Sequence, residues 1–381
     1  MLSSHEFYDS CAKQGIHFFT GVPDSLLQDF CAYLTDHLPH QSHVIAANEG
    51  GSVGLATGHY LATGNPALVY MQNSGQGNAV NPLLSLAAPE VYGIPMLLLV
   101  GWRGEPGVHD EPQHVKQGRV MNALFDAMEI PYEILVAEHN AAATQVARML
   151  ELSRQENRPV ALIVRKGTFA KYTMQKTSEK SYSLSREEAI GQIAASTPPH
   201  AVMIGTTGHI SRELYEYRAR QGDSHARDFL TVGSMGHASQ VALGIALAQP
   251  ERPVYCLDGD GALLMHMGAM SLIGQSRCNN IRHVVLNNGA HGSVGGQPTV
   301  AFSVSFLEIA RGCGYASVQS VNALEGLNDA LILMKEVSGP AFLEIKVSNK
   351  VHKDLGRPTT PPSENKNMVM NFLASYTQTI S

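Results

Sequence analysis

Cysteine is scarce in this chain, and the five present (Cys11, Cys31, Cys256, Cys278 and Cys313) stand at wide, irregular spacings with no C-x-x-C pair. That argues against a disulfide scaffold and a zinc site, so a reducing compartment is expected. Long apolar runs are absent as well. The run at 95–101 falls far short of the roughly 20 residues a membrane span needs, and residues 1–15 show no apolar stretch behind a basic start. A soluble, cytoplasmic protein with no membrane partner is expected. Charge is sparse, at 16% of residues with a net value of -6, and the positive residues are scattered. No basic face could follow a phosphate backbone, so nucleic acid is not an expected partner. A G-x-G-x-x-G dinucleotide fingerprint is missing too, because neither GDGALL at 259–264 nor GSMGHA at 233–238 fits it.

What the chain has is apolar mass and glycine: 44% hydrophobic residues and 35 glycines among 381 residues. This suffices for a large core with many tight turns, and the length fits two domains. The first half alternates short strand-like runs at 17–20, 44–47, 67–71, 96–101 and 160–164 with helical patterns, which predicts a parallel sheet covered by helices on both faces. Residues 171–185 turn polar and lose their apolar period, as an exposed linker would. Ser185 and Glu188 have capping-box spacing and open a helical pattern. Strands follow at 201–205, 229–232, 254–258, 283–286 and 341–347, so the second half is expected to repeat the α/β architecture of the first. The proline-bearing tail at 353–366 predicts an extended segment before a short last helix.

The most informative stretch is Leu257-Asp258-Gly259-Asp260-Gly261-Ala262, at the end of an apolar strand, followed after residues 262–286 by Asn287-Asn288-Gly289. In a parallel α/β sheet the carboxyl ends of strands form the ligand crevice, so Asp260 and Asn288 can reach one site. A carboxylate, an amide oxygen and a nearby backbone carbonyl are hard ligands of the kind magnesium takes when a phosphate supplies the rest. The glycines flanking Asp260 let backbone and a helix N-terminus approach that phosphate. Either end alone would read as an ordinary turn.

The two together resemble the signature of thiamine diphosphate enzymes. The resemblance implies Mg²⁺ held by Asp260, Asn288 and the carbonyl of Ala290, with the diphosphate near Gly261, Ala262, Gly292 and Ser293. It implies two cofactor-binding domains, each a parallel sheet flanked by helices, with no central third domain: a pyrimidine-type domain over 1–170, a linker over 171–185, and a diphosphate-type domain with its C-terminal tail over 186–381. Gly233-Ser234-Met235-Gly236 is similar to the family segment that supports the folded cofactor. There the Gly233 carbonyl would accept from the aminopyrimidine and Met235 would wedge between the rings, although Met235 alone reads as a core methionine. Glu49, in Ala46-Ala47-Asn48-Glu49-Gly50-Gly51, ends a strand and opens a glycine-rich helix. By itself it reads as an acid favoured by the helix dipole. Beside the second-domain motif it matches the family's activating glutamate, which hydrogen-bonds the pyrimidine and favours the imino tautomer. Glu49 and Asp260 lie in different domains, and in the family these usually come from different subunits. A homodimer or higher oligomer with active sites between subunits is therefore implied.

Large family members carry a third domain for which this chain has no room. The short architecture, with GWRGEPGVHDEPQH at 101–114, GVPDS at 21–25 and LGRPT at 355–359, resembles the phosphonopyruvate decarboxylases and the related sulfopyruvate decarboxylases. The implied reaction is decarboxylation of 3-phosphonopyruvate to phosphonoacetaldehyde and CO₂, in phosphonate biosynthesis. Rivals are a sulfopyruvate substrate, carboligation, and a catalytically silent cofactor-binding scaffold, against which the retained Glu49 argues. A doubly anionic substrate needs directed donors. Ser25, Arg103, Lys116 and Arg357 are candidates, joined by His109 and His114, each of which alone reads as a solvated surface group. Asp24 is a candidate proton carrier, with Ser25 the alternative alignment at that turn. Pyruvate-type members have a glutamate shortly after Asn-Asn-Gly where this chain has Val294, so proton delivery falls to His291, His109 or His114.

Overall fold

Strands β3 (Ala67–Gln72), β4 (Met96–Gly101) and β6 (Pro159–Val164) are near-continuous apolar runs because both of their faces are covered. Their side chains alternate between two cores: Leu97 and Leu99 enter one, Met96, Leu98 and Val100 the other. Truncating a fully buried residue such as Leu98 to alanine would cost about 2–5 kcal/mol. With β1 (Phe19–Gly21), β2 (His43–Ile45) and β5 (Tyr132–Ile134) they form an all-parallel sheet in the order β2-β1-β3-β4-β6-β5.

The second sheet contains β7 (Val202–Gly205), β8 (Asp228–Leu230), β9 (Val254–Gly259), β10 (Ile281–Asn287), β11 (Ser317–Val321) and β12 (Ala341–Lys346), again all parallel. Its order is β11-β12-β10-β9-β7-β8. Subtracting six from each label and reading from the other edge returns the order of the first sheet, so the expected repeat of architecture holds strand for strand. Two strands, β5 and β11, were not legible as apolar runs. Both are edge strands with half-exposed side chains, so burial imposes no continuous apolar pattern on them.

The computed structural model describes residues 1–176, 182–350 and 355–377, the side chains of 376 and 377 excepted. Residues 177–181 of the expected linker and 353–354 of the expected tail lie outside the described residues. One compact unit comprises Met1–Thr177 and Val294–Gln297, the other Ser178–Ser293 and Pro298–Ser381. The stretch 171–176 is fastened rather than loose: the backbone N–H of Tyr172 donates to Asp29, and those of Gln175 and Lys176 to the two oxygens of Asp36. The Ser185 capping box forms, with the Glu188 N–H on Ser185 Oγ at 3.1 Å and the Ser185 N–H on Glu188 Oε2 at 2.9 Å. The tail runs along helix His209–Gln221 through Arg212 to the Gly356 carbonyl and Tyr215 to Thr359. The last helix, Pro362–Thr377, has 16 residues and is longer than expected; Asn365 on it serves the free edge of β8 by accepting from Leu230 and donating to Asp228. No helix among the described residues is long and apolar enough to cross a membrane.

Candidate active site

In the second unit β9 and β10 lie in register, Gly259 opposite Leu286, so Asp260 and Asn288 follow neighbouring carboxyl ends. Both are buried. The Asp260 carboxylate accepts from Thr299 Oγ1 at 2.5 Å, and the backbone N–H groups of Asn288, Asp260 and Gly261 near it favour its charged form. Burial outweighs these donors and pushes its carboxyl up to about 6. Asn288 Oδ1 accepts from the Ala290 N–H at 3.2 Å, and the Ala290 carbonyl accepts from the Gly292 N–H at 3.0 Å, keeping its second lone pair. Gly289 (φ +67) must be glycine, because a Cβ there would fall 2.3 Å from the Phe302 ring.

Several residues of the second unit expected to meet the cofactor lie close to this pair. A Cβ on Gly261 would come 3.0 Å from the His291 ring, one on Gly292 would meet Asn288 Nδ2 at 3.6 Å, and one on Gly208 would meet Ser293 Oγ at 3.5 Å. Gly236 packs on the Ala262 carbonyl, which sets the segment 233–236 against the helix Asp260–Met265. Within that segment Ser234 adopts φ +52, a conformation that non-glycine residues rarely take, and Met235 is half-buried. Desolvation pushes the His291 imidazole down to about 4, which leaves it neutral near pH 7 and a weak base, poorly suited to carry a proton.

In the first unit Glu49 is buried at the start of helix Glu49–Thr63, with Asn48 capping the Gly51 N–H at 2.8 Å. Asn78 Nδ2 donates to Glu49 Oε2 at 2.7 Å. Gly75 leaves room for the carboxylate, since a Cβ there would lie 2.4 Å from Glu49 Oε1. Next to it Gln76 is 1% exposed, and neither its amide nitrogen nor its oxygen has a partner among the described residues. Such a buried amide is costly unless a ligand meets it.

After β1, Asp24 is fully buried and accepts from Gln72 Nε2 at 2.6 Å and from the Leu26 N–H at 3.0 Å. Desolvation raises its carboxyl, against the pull of these bonds and of Arg103. Arg103 donates to Ser25 Oγ at 2.7 Å and grips Asp110 through Nε and Nη2, at 2.8 and 2.5 Å. The structure thus joins Asp24, Ser25 and Arg103 in one network. His114 is buried in the first turn of helix Pro112–Ala127, whereas His109 and Lys116 are exposed outside that network and Arg357 is exposed on the tail of the second unit. Gly75, Gln76, Asn78, Gln72, Asp110 and Thr299 were missed by sequence reasoning. The available signal for the first three was the Gly- and Asn-rich stretch SGQGNAVN at 74–81, placed after β3 as GDG is placed after β9.

Residues 3–130 match the family described as thiamine pyrophosphate enzyme, N-terminal TPP binding domain, and residues 206–345 match its C-terminal TPP binding domain. Fold and site therefore define a two-domain thiamine pyrophosphate enzyme. Phosphonopyruvate decarboxylase of Streptomyces viridochromogenes is 32% identical over 96% of this chain and 93% of its own length, and that of Streptomyces hygroscopicus 31% identical over 96% and 92%. Sulfopyruvate decarboxylase of Methanosarcina acetivorans is 28% identical over 87% of this chain and 88% of its own. The chain belongs to the phosphonopyruvate decarboxylase family of thiamine diphosphate-dependent carboxy-lyases.

Proposed function

We propose that this chain decarboxylates 3-phosphonopyruvate to phosphonoacetaldehyde and CO₂ with thiamine diphosphate and Mg²⁺. The observation that carries the reading is the buried pairing of Asp260 with Asn288 in a chain related to phosphonopyruvate decarboxylases along nearly its whole length. The donor set fits a hard cation: a carboxylate short of positive charge, an amide oxygen and a carbonyl with a spare lone pair. Asp260, Asn288 and Ala290 would hold Mg²⁺. Gly261, Ala262, Gly292 and Ser293 would take the diphosphate, and Glu49, Gly233 and Met235 the pyrimidine side. When bound, thiamine diphosphate supplies a nucleophilic carbon and an electron sink for the pair left behind as CO₂ departs.

The chain's own residues do the rest. Glu49, fixed through Oε2 by Asn78, holds a proton against the pyrimidine nitrogen. Asp24, whose carboxyl burial keeps protonated to higher pH than an exposed one, carries a proton to the reacting carbon; His114 and His109 are the alternative carriers. Ser25 accepts from Arg103, which leaves the Ser25 hydroxyl proton to donate to an anionic oxygen of the substrate. Because Asp110 neutralises Arg103, recognition here rests on directed donors more than on net charge. Lys116 and Arg357 are the further anion candidates. A homodimer or larger assembly with active sites between subunits goes with this reading, as does a reducing, cytoplasmic setting in keeping with five free thiols, four of them buried. Sulfopyruvate is the second substrate reading, favoured by the Methanosarcina relative.

Stripping the enzyme with EDTA and dialysis tests the cofactor assignment. Aldehyde release should vanish and return only when thiamine diphosphate and Mg²⁺ are both restored. Full activity after stripping would overturn it.

A further inference from the structure

Beneath the turn that carries Asp260, the Asp258 carboxylate accepts the Gly259 N–H on Oδ1 at 3.0 Å. Its Oδ2 stands 3.5 Å from His283 Nε2 on β10, and neither atom has another partner among the described residues. His283 Nδ1 pairs with the Tyr315 hydroxyl at 2.9 Å. A hydroxyl donated to Nδ1 leaves the imidazole proton on Nε2, on the side that faces the carboxylate. Beneath the turn that carries Asn288 runs a second chain of the same length. Asn287 accepts the Gly289 N–H on Oδ1 at 3.0 Å and donates Nδ2 to Glu344 Oε1 on β12 at 2.7 Å, while Glu344 Oε2 accepts from Ser320 Oγ on β11 at 2.9 Å.

Asp258, His283, Asn287 and Glu344 are each at most 3% exposed in a sheet whose buried side chains are mostly apolar. Polar groups so placed are weak contributors to stability, since apolar side chains of similar volume serve a core as well or better. What the two chains share is their end point: each bonds the backbone of a turn bearing one of the two side-chain ligands. We propose that His283 with Tyr315, and Glu344 with Ser320, are positioning residues that hold the Asp260 and Asn288 turns at cation-binding spacing. The inference rests on the reading of Asp260 and Asn288 as cation ligands. Outer partners of metal ligands commonly change metal affinity by about 10- to 100-fold.

The test is binding of Mn²⁺ in the presence of thiamine diphosphate, read from the electron paramagnetic resonance signal of the free ion, with the full-length protein. Glu344→Ala and His283→Ala should raise the Mn²⁺ dissociation constant by about 10- to 100-fold. Glu344→Gln, which keeps an acceptor for Asn287, should stay close to wild type. Tyr315→Phe and Ser320→Ala each remove one hydroxyl and spare the core, so they should fold and weaken Mn²⁺ binding by a smaller factor. A purely structural role would lower the thermal midpoint and leave the dissociation constant of the folded protein alone. Folded variants that bind Mn²⁺ as wild type does would overturn the positioning role. A wild-type protein that takes up no Mn²⁺ would overturn the cation site itself, and the positioning with it.

Discussion

Asn78 donates its side-chain amide to the Glu49 carboxylate, Nδ2 to Oε2 at 2.7 Å, across the first turns of the helices that follow β2 and β3. The bond occupies one carboxylate oxygen, while Gly75 leaves space beside the other. Glu49→Gln should lower kcat by at least about 100-fold, the scale of a lost acid–base group. Asn78→Ala should cost less, and Asn78→Asp more than Asn78→Ala, because two carboxylates at that separation disfavour each other's charge. Gly75→Ala should be impaired while still folding. Steady-state kinetics and thiamine diphosphate binding on the four variants check this; wild-type kinetics in Glu49→Gln would remove Glu49 from the mechanism as drawn.

Arg103 spends its guanidinium on Asp110 and Ser25. Lysine cannot reproduce that fork. Arg103→Lys should therefore raise KM for phosphonopyruvate by about 10- to 100-fold, the equivalent of a lost charge-assisted hydrogen bond, with a smaller change in kcat. An unchanged KM would place substrate recognition elsewhere, with Lys116 and Arg357 next to be tested.

His43 and Tyr70 meet inside the first core, Nε2 to hydroxyl at 2.8 Å. Burial, aided by His40 and Lys176, pushes the imidazole down from 6.5 to about 4. The unfolded chain takes up a proton near pH 6.5 and the folded chain only near pH 4, so stability should fall as pH drops through that window, by up to about 3 kcal/mol. Urea unfolding between pH 7 and pH 4.5 checks it. In His43→Phe the pH slope over this range should shrink; an unaltered slope would assign the acid sensitivity to other groups.

Much of this was legible in the sequence, and the parts that were not share a cause. β3, β4 and β6 could be read because burial on both faces forces a run of apolar residues, whereas the half-exposed edges β5 and β11 leave no such mark. Asp260 and Asn288 could be read because glycines and paired asparagines at strand ends are costly unless a ligand or tight turn requires them. Their supporting residues could not. Thr299 reaches Asp260 from 39 residues away and Glu344 reaches Asn287 from 57, and only the folded sheet brings each pair together. Arg103 was legible as a cation, but its engagement by Asp110 depends on the fold of the loop between them.

The most direct test is aldehyde release from phosphonopyruvate, sulfopyruvate and pyruvate, compared side by side with thiamine diphosphate and Mg²⁺ present. The proposed function requires phosphonopyruvate to have the highest kcat/KM, with phosphonoacetaldehyde as product. A preference for sulfopyruvate would move the chain to the sulfonate branch with its cofactor site intact, and decarboxylation of none of the three would contradict the function itself.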